Sequence, residues 1–330
     1  MIIEKILKKL TPERIRKEVG AVEKVRLSRE VKRLADEYKK IGDPDRNEYL
    51  WKWILRGTKI FTGNRVSRRF LPGLLEAKLL LFILDTFFDD IVDKYKFRNK
   101  KLLKEILKVP FQQDYIKFKE LNRKEKRCVN FAINIWKRIE REIKKFPKYR
   151  EFKDLLEYDI SQFLNVIKYS YLVHQNNYLL NKTENWIYLP HSMQVVINTT
   201  LELMCMPKFN VKELGRVREV AWRAQRMSRI GNWISTWERE IEERDFTSGV
   251  FVYALDLSVI TIDELHKGDK FKIIKKIRNS KVEEKLLKEW EQDYREINKL
   301  TKRIKSVNIR EMLPALEKII FYHLSSRGYK

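Results

Sequence analysis

Apolar residues recur at intervals of three or four positions along most of this chain. Residues 152–167 give one example, in which the spaced apolar positions are Phe152, Leu155, Leu156, Ile160, Phe163, Leu164 and Ile167. This spacing is typical of amphipathic helices, and no two-residue alternation lasts long enough to require a β-sheet. Pro and Gly interrupt the pattern, which divides the chain into roughly eight to ten helices. The pattern predicts an all-α fold.

The sequence offers no obvious point of division between domains. No repeat, low-complexity tract or Ser- and Gly-rich linker separates one part from another. We therefore expect residues 61–330 to form one large helical domain, with residues 1–60 as an N-terminal helical segment packed on that core.

Two of the predicted helices carry candidate chemistry. The first begins after Pro72–Gly73, contains the most apolar segment of the chain and ends near Lys94. That segment, residues 70–88, is nearly long enough to span a bilayer, but charged residues interrupt it, so we expect a buried helix instead. The second predicted helix begins near an N-cap at Asn210 and ends at about Glu243.

The composition adds a strong positive charge. Lys and Arg number 71 against 46 Asp and Glu, which gives a net charge of +25. A Lys- and Glu-rich helical surface explains most of it, and an anionic partner is the alternative. Two cysteines without CxxC spacing and only four histidines argue against a disulfide framework and a zinc site. Because the start of the sequence lacks a signal-peptide pattern, we expect a cytoplasmic protein, with peripheral contact to an anionic membrane left open.

Four aspartates lie at the end of the first candidate helix. Asp85, Asp89 and Asp93 form one stripe, each offset from the last by roughly 40°, and Asp90 lies about 100° round the helix from Asp89. Like charges at this spacing repel one another, and burying them unpaired is costly. A divalent cation would relieve the repulsion, and Mg2+ takes carboxylate oxygens while sharing its other positions with phosphate. The alternative is a helix end that emerges into solvent.

The second candidate helix carries a stripe of mixed oxygen ligands. Asn232, Thr236 and Glu240 follow one another at intervals of four and offer an amide oxygen, a hydroxyl and a carboxylate. Arg239 lies within about 20° of Asn232, and Arg229 points to a similar side, so cations stand where a phosphate would need them. Taken alone, the stripe also fits an ordinary polar helix face. Two such helices in one α-helical chain favour a diphosphate held between metal ions.

Both stripes resemble motifs of the class I terpene synthases. Asp89–Asp93 reads DDIVD and is similar to the DDxxD motif of that family. Asn232, Thr236 and Glu240 match its second motif, in which Asn or Asp is followed by Ser or Thr at the fourth position and by Glu at the eighth. Arg239 stands where the family has Lys or Arg, and residues 244–250 resemble the loop that follows. The resemblance covers residues 60–330.

The resemblance implies a fold, a reaction and a set of site residues. The fold is a helical bundle of the isoprenoid synthase type with a central apolar cavity, and the reaction is Mg2+-dependent ionisation of a farnesyl- or geranylgeranyl-type diphosphate with release of pyrophosphate. About three Mg2+ ions would be bound by carboxylate and other oxygen ligands. The implied metal ligands are Asp89, Asp93, Asn232, Thr236 and Glu240, with Asp90 as a further catalytic residue. The implied diphosphate contacts are Arg229, Arg239, Arg327 and Tyr329, and the implied cavity aromatics are Phe87, Phe88, Trp222 and Trp233. His191 stands near the helix break where the family carries an Arg that senses the diphosphate.

Three other interpretations fit the same residues. A head-to-head prenyl synthase with squalene- or phytoene-like products would use the Asp85, Asp89 and Asp93 stripe. A terpene synthase fold that binds isoprenoid but turns over poorly is the second. The third is a non-enzymatic basic helical protein that binds nucleic acid or anionic membrane through residues 94–108 and 267–281. The favoured interpretation has an isoprenoid diphosphate as its partner and no nucleic acid, and it is compatible with a homodimer.

Overall fold

The computed structural model describes residues 2–63, 65–94 and 98–329, so part of the basic stretch 94–108 lies outside the described residues. All regular secondary structure in these ranges is helical, which confirms the all-α prediction. The described residues form sixteen α-helices, more than the pattern predicts, because several are shorter than three turns.

The α-helices follow one another along the chain. They are α1 Ile2–Leu7, α2 Pro12–Glu23, α3 Arg29–Ile41, α4 Glu48–Thr62, α5 Leu71–Asp93, α6 Lys100–Ile106, α7 Arg123–Ile143, α8 Tyr149–Gln175, α9 Lys182–Tyr188, α10 Val195–Met204, α11 Leu214–Glu243, α12 Gly249–Asp256, α13 Ile262–Lys267, α14 Lys270–Arg278, α15 Val282–Thr301 and α16 Met312–Ser325. Among these described helices none combines the length and apolar character needed to cross a membrane.

Both helices that carry candidate chemistry form close to their predicted bounds, as α5 and α11. Asn210 does act as a cap, but its side chain accepts a hydrogen bond from the Lys212 amide and starts a 3-10 turn, so that α11 begins only at Leu214. The Glu213 carboxylate, at the start of this helix, accepts hydrogen bonds from the backbone amides of Lys305 and Ser306.

The chain divides into two compact units. We call Met1–Gly20, Tyr158–Thr199 and Lys208–Lys330 the C-terminal unit, and Ala21–Glu157 and Thr200–Pro207 the N-terminal unit. The predicted segment 1–60 thus contributes residues to both.

In the N-terminal unit α5 packs against α4, α6 and α7. Phe87 of α5 lies edge-on to Phe131 of α7, with ring centroids 5.1 Å apart. Lys78 is 1% exposed in the middle of the apolar segment, where its ammonium binds Glu202 and the Thr62 hydroxyl. A buried cation is tolerated there because it is paired and hydrogen-bonded. The structure thus places one of the charges that interrupt the apolar segment inside a protein core.

In the C-terminal unit α11 packs against α12, α14, α15 and α16. Gly231 lies inside α11, where a glycine indicates the close approach of a neighbouring group. A Cβ atom at this position would lie 3.1 Å from Ile320 Cδ1 and 3.2 Å from the His323 ring, both on α16. Glycine therefore permits the close packing of α16 on the part of α11 that precedes the oxygen stripe.

Candidate functional site

The oxygen stripe of α11 forms one connected group in the C-terminal unit. Thr236 Oγ1 lies 2.6 Å from Glu240 Oε1 and 2.8 Å from the carbonyl oxygen of Asn232. Arg229 Nη1 donates to the Asn232 amide oxygen at 3.0 Å, one turn earlier on the helix. The helical spacing predicted from the sequence thus produces direct contacts between Arg229, Asn232, Thr236 and Glu240.

Glu240 is the most perturbed member of this group. It is 8% exposed, and its Oε2 atom has no hydrogen-bond partner among the described residues. Burial, followed by the nearby Asp245 carboxylate, raises the pKa of Glu240 to about 7, although Thr236, Arg239 and Arg229 act in the opposite direction. The site therefore holds a carboxyl group that keeps its proton to a higher pH than an exposed glutamate does.

The hydrogen bonds of Thr236 agree with a protonated Glu240. A threonine hydroxyl carries one proton, so it donates to one acceptor at a time. When Glu240 is protonated, its carboxyl donates to Thr236 and the hydroxyl donates to the Asn232 carbonyl. When Glu240 is ionised, the hydroxyl can donate to only one of two acceptors, the Glu240 carboxylate or the Asn232 carbonyl. A cation at Oε2 would supply the charge that the ionised state lacks.

Asp245 follows α11 in a short loop and extends the group. Its Oδ1 atom accepts hydrogen bonds from the Thr247 amide at 3.0 Å and the Thr247 hydroxyl at 2.7 Å, and lies 3.6 Å from His174 Nε2. Its own backbone amide donates to the Glu240 carbonyl oxygen at 2.9 Å. The sequence singled out the loop by resemblance but gave Asp245 and His174 no role. No local pattern marks His174, which lies on α8, far from α11 in the chain.

The loop is held by the packing of Trp233, one of the predicted cavity aromatics. Trp233 is fully buried, and a Cβ atom on Gly249 would lie 2.5 Å from its ring. The Trp233 ring meets Trp186 edge-on at 5.1 Å, and the Arg229 guanidinium lies 5.5 Å from its centroid. Trp233 therefore orients Arg229 and supports the loop by packing.

The other predicted residues of the C-terminal unit lie at varying distances from the stripe. Arg239 is about one-third exposed and 3.6 Å from Glu243. Arg327 donates to the Ile234 carbonyl and to Glu283, on the opposite side of α11 from Asn232. Tyr329 is 51% exposed at the end of the chain. Arg229 hydrogen-bonds the Asn232 side chain of the stripe, and the diphosphate-binding roles of all four residues remain predictions.

Trp222 and His191 form a separate group. Their ring centroids are 4.9 Å apart, and Trp222 precedes Asn232 by ten residues, or about 15 Å of helix. Burial lowers the pKa of His191 to about 4, with the charge of Asp159 opposing the shift. His191 Nδ1 lies 3.4 Å from the side-chain nitrogen of Gln225, also on α11. His191 is therefore neutral at physiological pH and carries no charge that would attract a diphosphate.

The aspartates of α5 lie in the N-terminal unit and differ in their surroundings. Asp90 is 2% exposed and accepts hydrogen bonds from the Tyr38 hydroxyl and from Arg46, whose Nη2 lies 2.6 Å from Oδ1. Burial and Asp90 raise the pKa of Tyr38 well above its usual value. Asp89 and Asp93 are half-buried. Asp90 has a cationic partner in Arg46, a residue that the sequence pattern did not mark.

Phe87 and Phe88 are fully buried in the same unit. A cavity of about 180 Å³ is lined by twelve residues that include Phe87, Asp90, Ile91 and Cys128. A cavity of roughly this volume accommodates a benzene-sized group, whereas sites that enclose larger ligands begin at about 300 Å³. This cavity alone is too small for a farnesyl chain, and the predicted central cavity remains a prediction. The convergence of Asp89 with Asn232, two residues of different units, also remains a prediction.

Comparison with known proteins identifies no relative of this chain. No protein-family model matches this chain, no curated protein matches it, and no solved structure matches it.

Proposed function

We propose that this protein binds an isoprenoid diphosphate through Mg2+ and ionises it, in the manner of a class I terpene synthase. The observation that carries the proposal is the oxygen stripe of Asn232, Thr236 and Glu240 in the C-terminal unit, in which Thr236 and Glu240 are buried and Asn232 is half-buried. The Thr236 hydroxyl contacts the Glu240 carboxyl and the backbone carbonyl of Asn232, and Glu240 Oε2 is buried without a hydrogen-bond partner in the described part of the chain. Buried polar atoms are normally paired, so an orphaned carboxylate oxygen fits a missing cation.

The donor set suits a hard divalent cation. A carboxylate, a hydroxyl and an amide oxygen are ligands that Mg2+ accepts, and none of the three is a nitrogen or sulfur donor that would favour a softer metal. The Asn232 oxygen has two lone pairs, and Arg229 uses only one of them. Asn232, Thr236 and Glu240 would hold the ion, which when bound would offset the charge of the departing diphosphate.

The surrounding residues of this chain would bind and orient the substrate. Arg229 is fixed by Asn232 and by the Trp233 ring, so its guanidinium is held in place before a diphosphate arrives. Arg239 adds a second cation on the same face, with enough exposure to move toward an anion. Burial of Thr236 and Glu240 keeps water from competing for these contacts. Participation of Asp89, Asp90 and Asp93 in the same reaction remains a prediction from the sequence.

The proposal is tested by incubating the purified protein and Mg2+ with geranyl, farnesyl and geranylgeranyl diphosphates. Pyrophosphate release and extractable hydrocarbon or alcohol products are measured. We expect Glu240→Gln to lower release by about 100-fold or more, in line with the loss of one group that stabilises developing charge. Glu242→Gln, an exposed carboxylate on the same helix, is the matched control and should leave the rate unchanged.

A second variant separates metal binding from substrate binding. Arg239→Ala removes a cation but no metal ligand, so it should raise KM and respond less to added Mg2+ than Glu240→Gln does. Absence of pyrophosphate release from all three substrates would show the proposal to be wrong. Equal rates of pyrophosphate release by wild type and Glu240→Gln would show that the α11 stripe takes no part in the reaction.

A further inference from the structure

The helix α14 carries the most exposed large apolar side chain in the described part of the protein. Phe271 is 84% exposed. Ile273 and Ile277 on the same helix are buried against the protein, at about 200° and 240° round the helix from Phe271. Phe271 therefore lies on the side of α14 that faces away from the core. Packing within the C-terminal unit does not account for its position.

Exposed cations surround Phe271. All seven basic residues between positions 267 and 281 are exposed, namely Lys267, Lys270, Lys272, Lys275, Lys276, Arg278 and Lys281. The same range holds one acidic residue, Asp269, whose side chain caps the helix by accepting from the Lys272 amide. On a helical projection Lys275 and Arg278 flank Phe271 within about 40° on either side. We call these residues, 267–281, the α14 surface.

Few of these charges are neutralised within the protein. Lys276 is paired with Glu264 of α13, and Arg278 is paired with Glu238 of α11. The other five, among them Lys272 and Lys275, form no ion pair with a described carboxylate within 4 Å. The α14 surface thus combines five cations that have no ion-pair partner among the described residues with a single projecting aromatic ring.

We propose that the α14 surface binds anionic lipid bilayers, with Phe271 inserted between headgroups and the surrounding lysines on the lipid phosphates. Anionic membranes attract clusters of basic residues, and an apolar side chain adds a second contribution that stabilises the attachment. Charge complementarity and the outward Phe271 together specify this partner. The inference does not depend on the proposed chemistry of α11.

A nucleic acid is a less suitable partner for the same residues. Proteins that bind single strands stack successive bases on several aromatic side chains, and the α14 surface presents one. Duplex binding would need the cations alone and would give Phe271 no role. The two partners therefore predict different consequences of removing the ring.

The test is co-sedimentation of the full chain with vesicles. One set contains phosphatidylcholine only, and the other contains phosphatidylcholine mixed with phosphatidylserine. We expect binding to the mixed vesicles alone. Each lysine near an anionic surface contributes about fivefold in affinity, so the double variant Lys272→Gln/Lys275→Gln should bind about 25-fold more weakly. Phe271→Ala should weaken binding about tenfold.

Matched controls separate this surface from the overall charge of +25. Lys208→Gln/Lys212→Gln makes the same charge change at exposed positions of the same unit, and Tyr115→Ala removes another exposed ring. Both should bind as wild type does. Equal weakening by the control pair, or no binding to the mixed vesicles, overturns the proposal. So does binding to a duplex or single-stranded oligonucleotide in place of vesicles. Far-UV circular dichroism checks that each variant is folded.

Discussion

Replacing Glu240 by Gln tests the electrostatics of the candidate site without changing its shape. The amide can still donate a hydrogen bond to Thr236, so it reproduces the protonated carboxyl. In wild type, the folded protein holds a proton on Glu240 up to a pKa of about 7, whereas the unfolded chain releases it near 4.5. The unfolded state therefore binds fewer protons between these values, and the free energy of unfolding falls as pH rises.

The size of this effect follows from the shift. One pKa unit corresponds to about 1.4 kcal/mol. The difference between the pKa values of the unfolded and folded states therefore represents about 3 kcal/mol of stability, which is lost between about pH 4.5 and pH 7. The Gln variant has no proton to lose and should not show this decline. We expect wild type and Glu240→Gln to be equally stable near pH 4.5 and the variant to be more stable by about 3 kcal/mol at pH 8.

Urea denaturation followed by far-UV circular dichroism, with EDTA present, measures the difference at several pH values. Glu242→Gln is the control, because its side chain is exposed on the same helix. Added Mg2+ should restore stability to wild type at pH 8 and not to Glu240→Gln, because only the folded wild type would bind it. Parallel stability curves for wild type and Glu240→Gln across this range would refute the reasoning.

Three further predictions concern packing and charge. Gly249→Ala should lower the free energy of unfolding by about 1–3 kcal/mol, because its Cβ would meet the Trp233 ring at 2.5 Å, and urea denaturation measures this. Arg46→Ala should cost about 3–5 kcal/mol, because it leaves the Asp90 carboxylate buried without its cationic partner, and Arg46→Ala combined with Asp90→Asn should recover part of that loss. The pKa of His191 is lowered to about 4 in the folded protein, so between about pH 6.5 and pH 4 the unfolded chain binds a proton that the folded protein does not. The free energy of unfolding should therefore fall as pH decreases through this range, and His191→Gln should remove this part of the decrease.

The helices and the stripe on α11 could be predicted because they depend on neighbouring residues. Apolar spacing identifies α5 and α11 within a few residues of their observed bounds. A period of 3.6 residues places Asn232, Thr236 and Glu240 on one side of α11 whatever packs against it. Gly231 lies inside α11, and only the structure identifies the close neighbour at that position as α16. Local periodicity therefore supplied the candidate ligands.

The environment of those residues was decided by contacts between distant parts of the chain. Arg46 lies 44 positions from Asp90, and His174 lies on α8 whereas Asp245 lies in the loop after α11, so no spacing rule connects either pair. The perturbed pKa of Glu240 depends on burial, which arises when α11 is covered by other helices. Helical periodicity specifies which side of a helix a residue occupies. Which partner it meets there depends on side-chain volumes and charges summed over the whole packed unit, and only the tertiary structure contains that information.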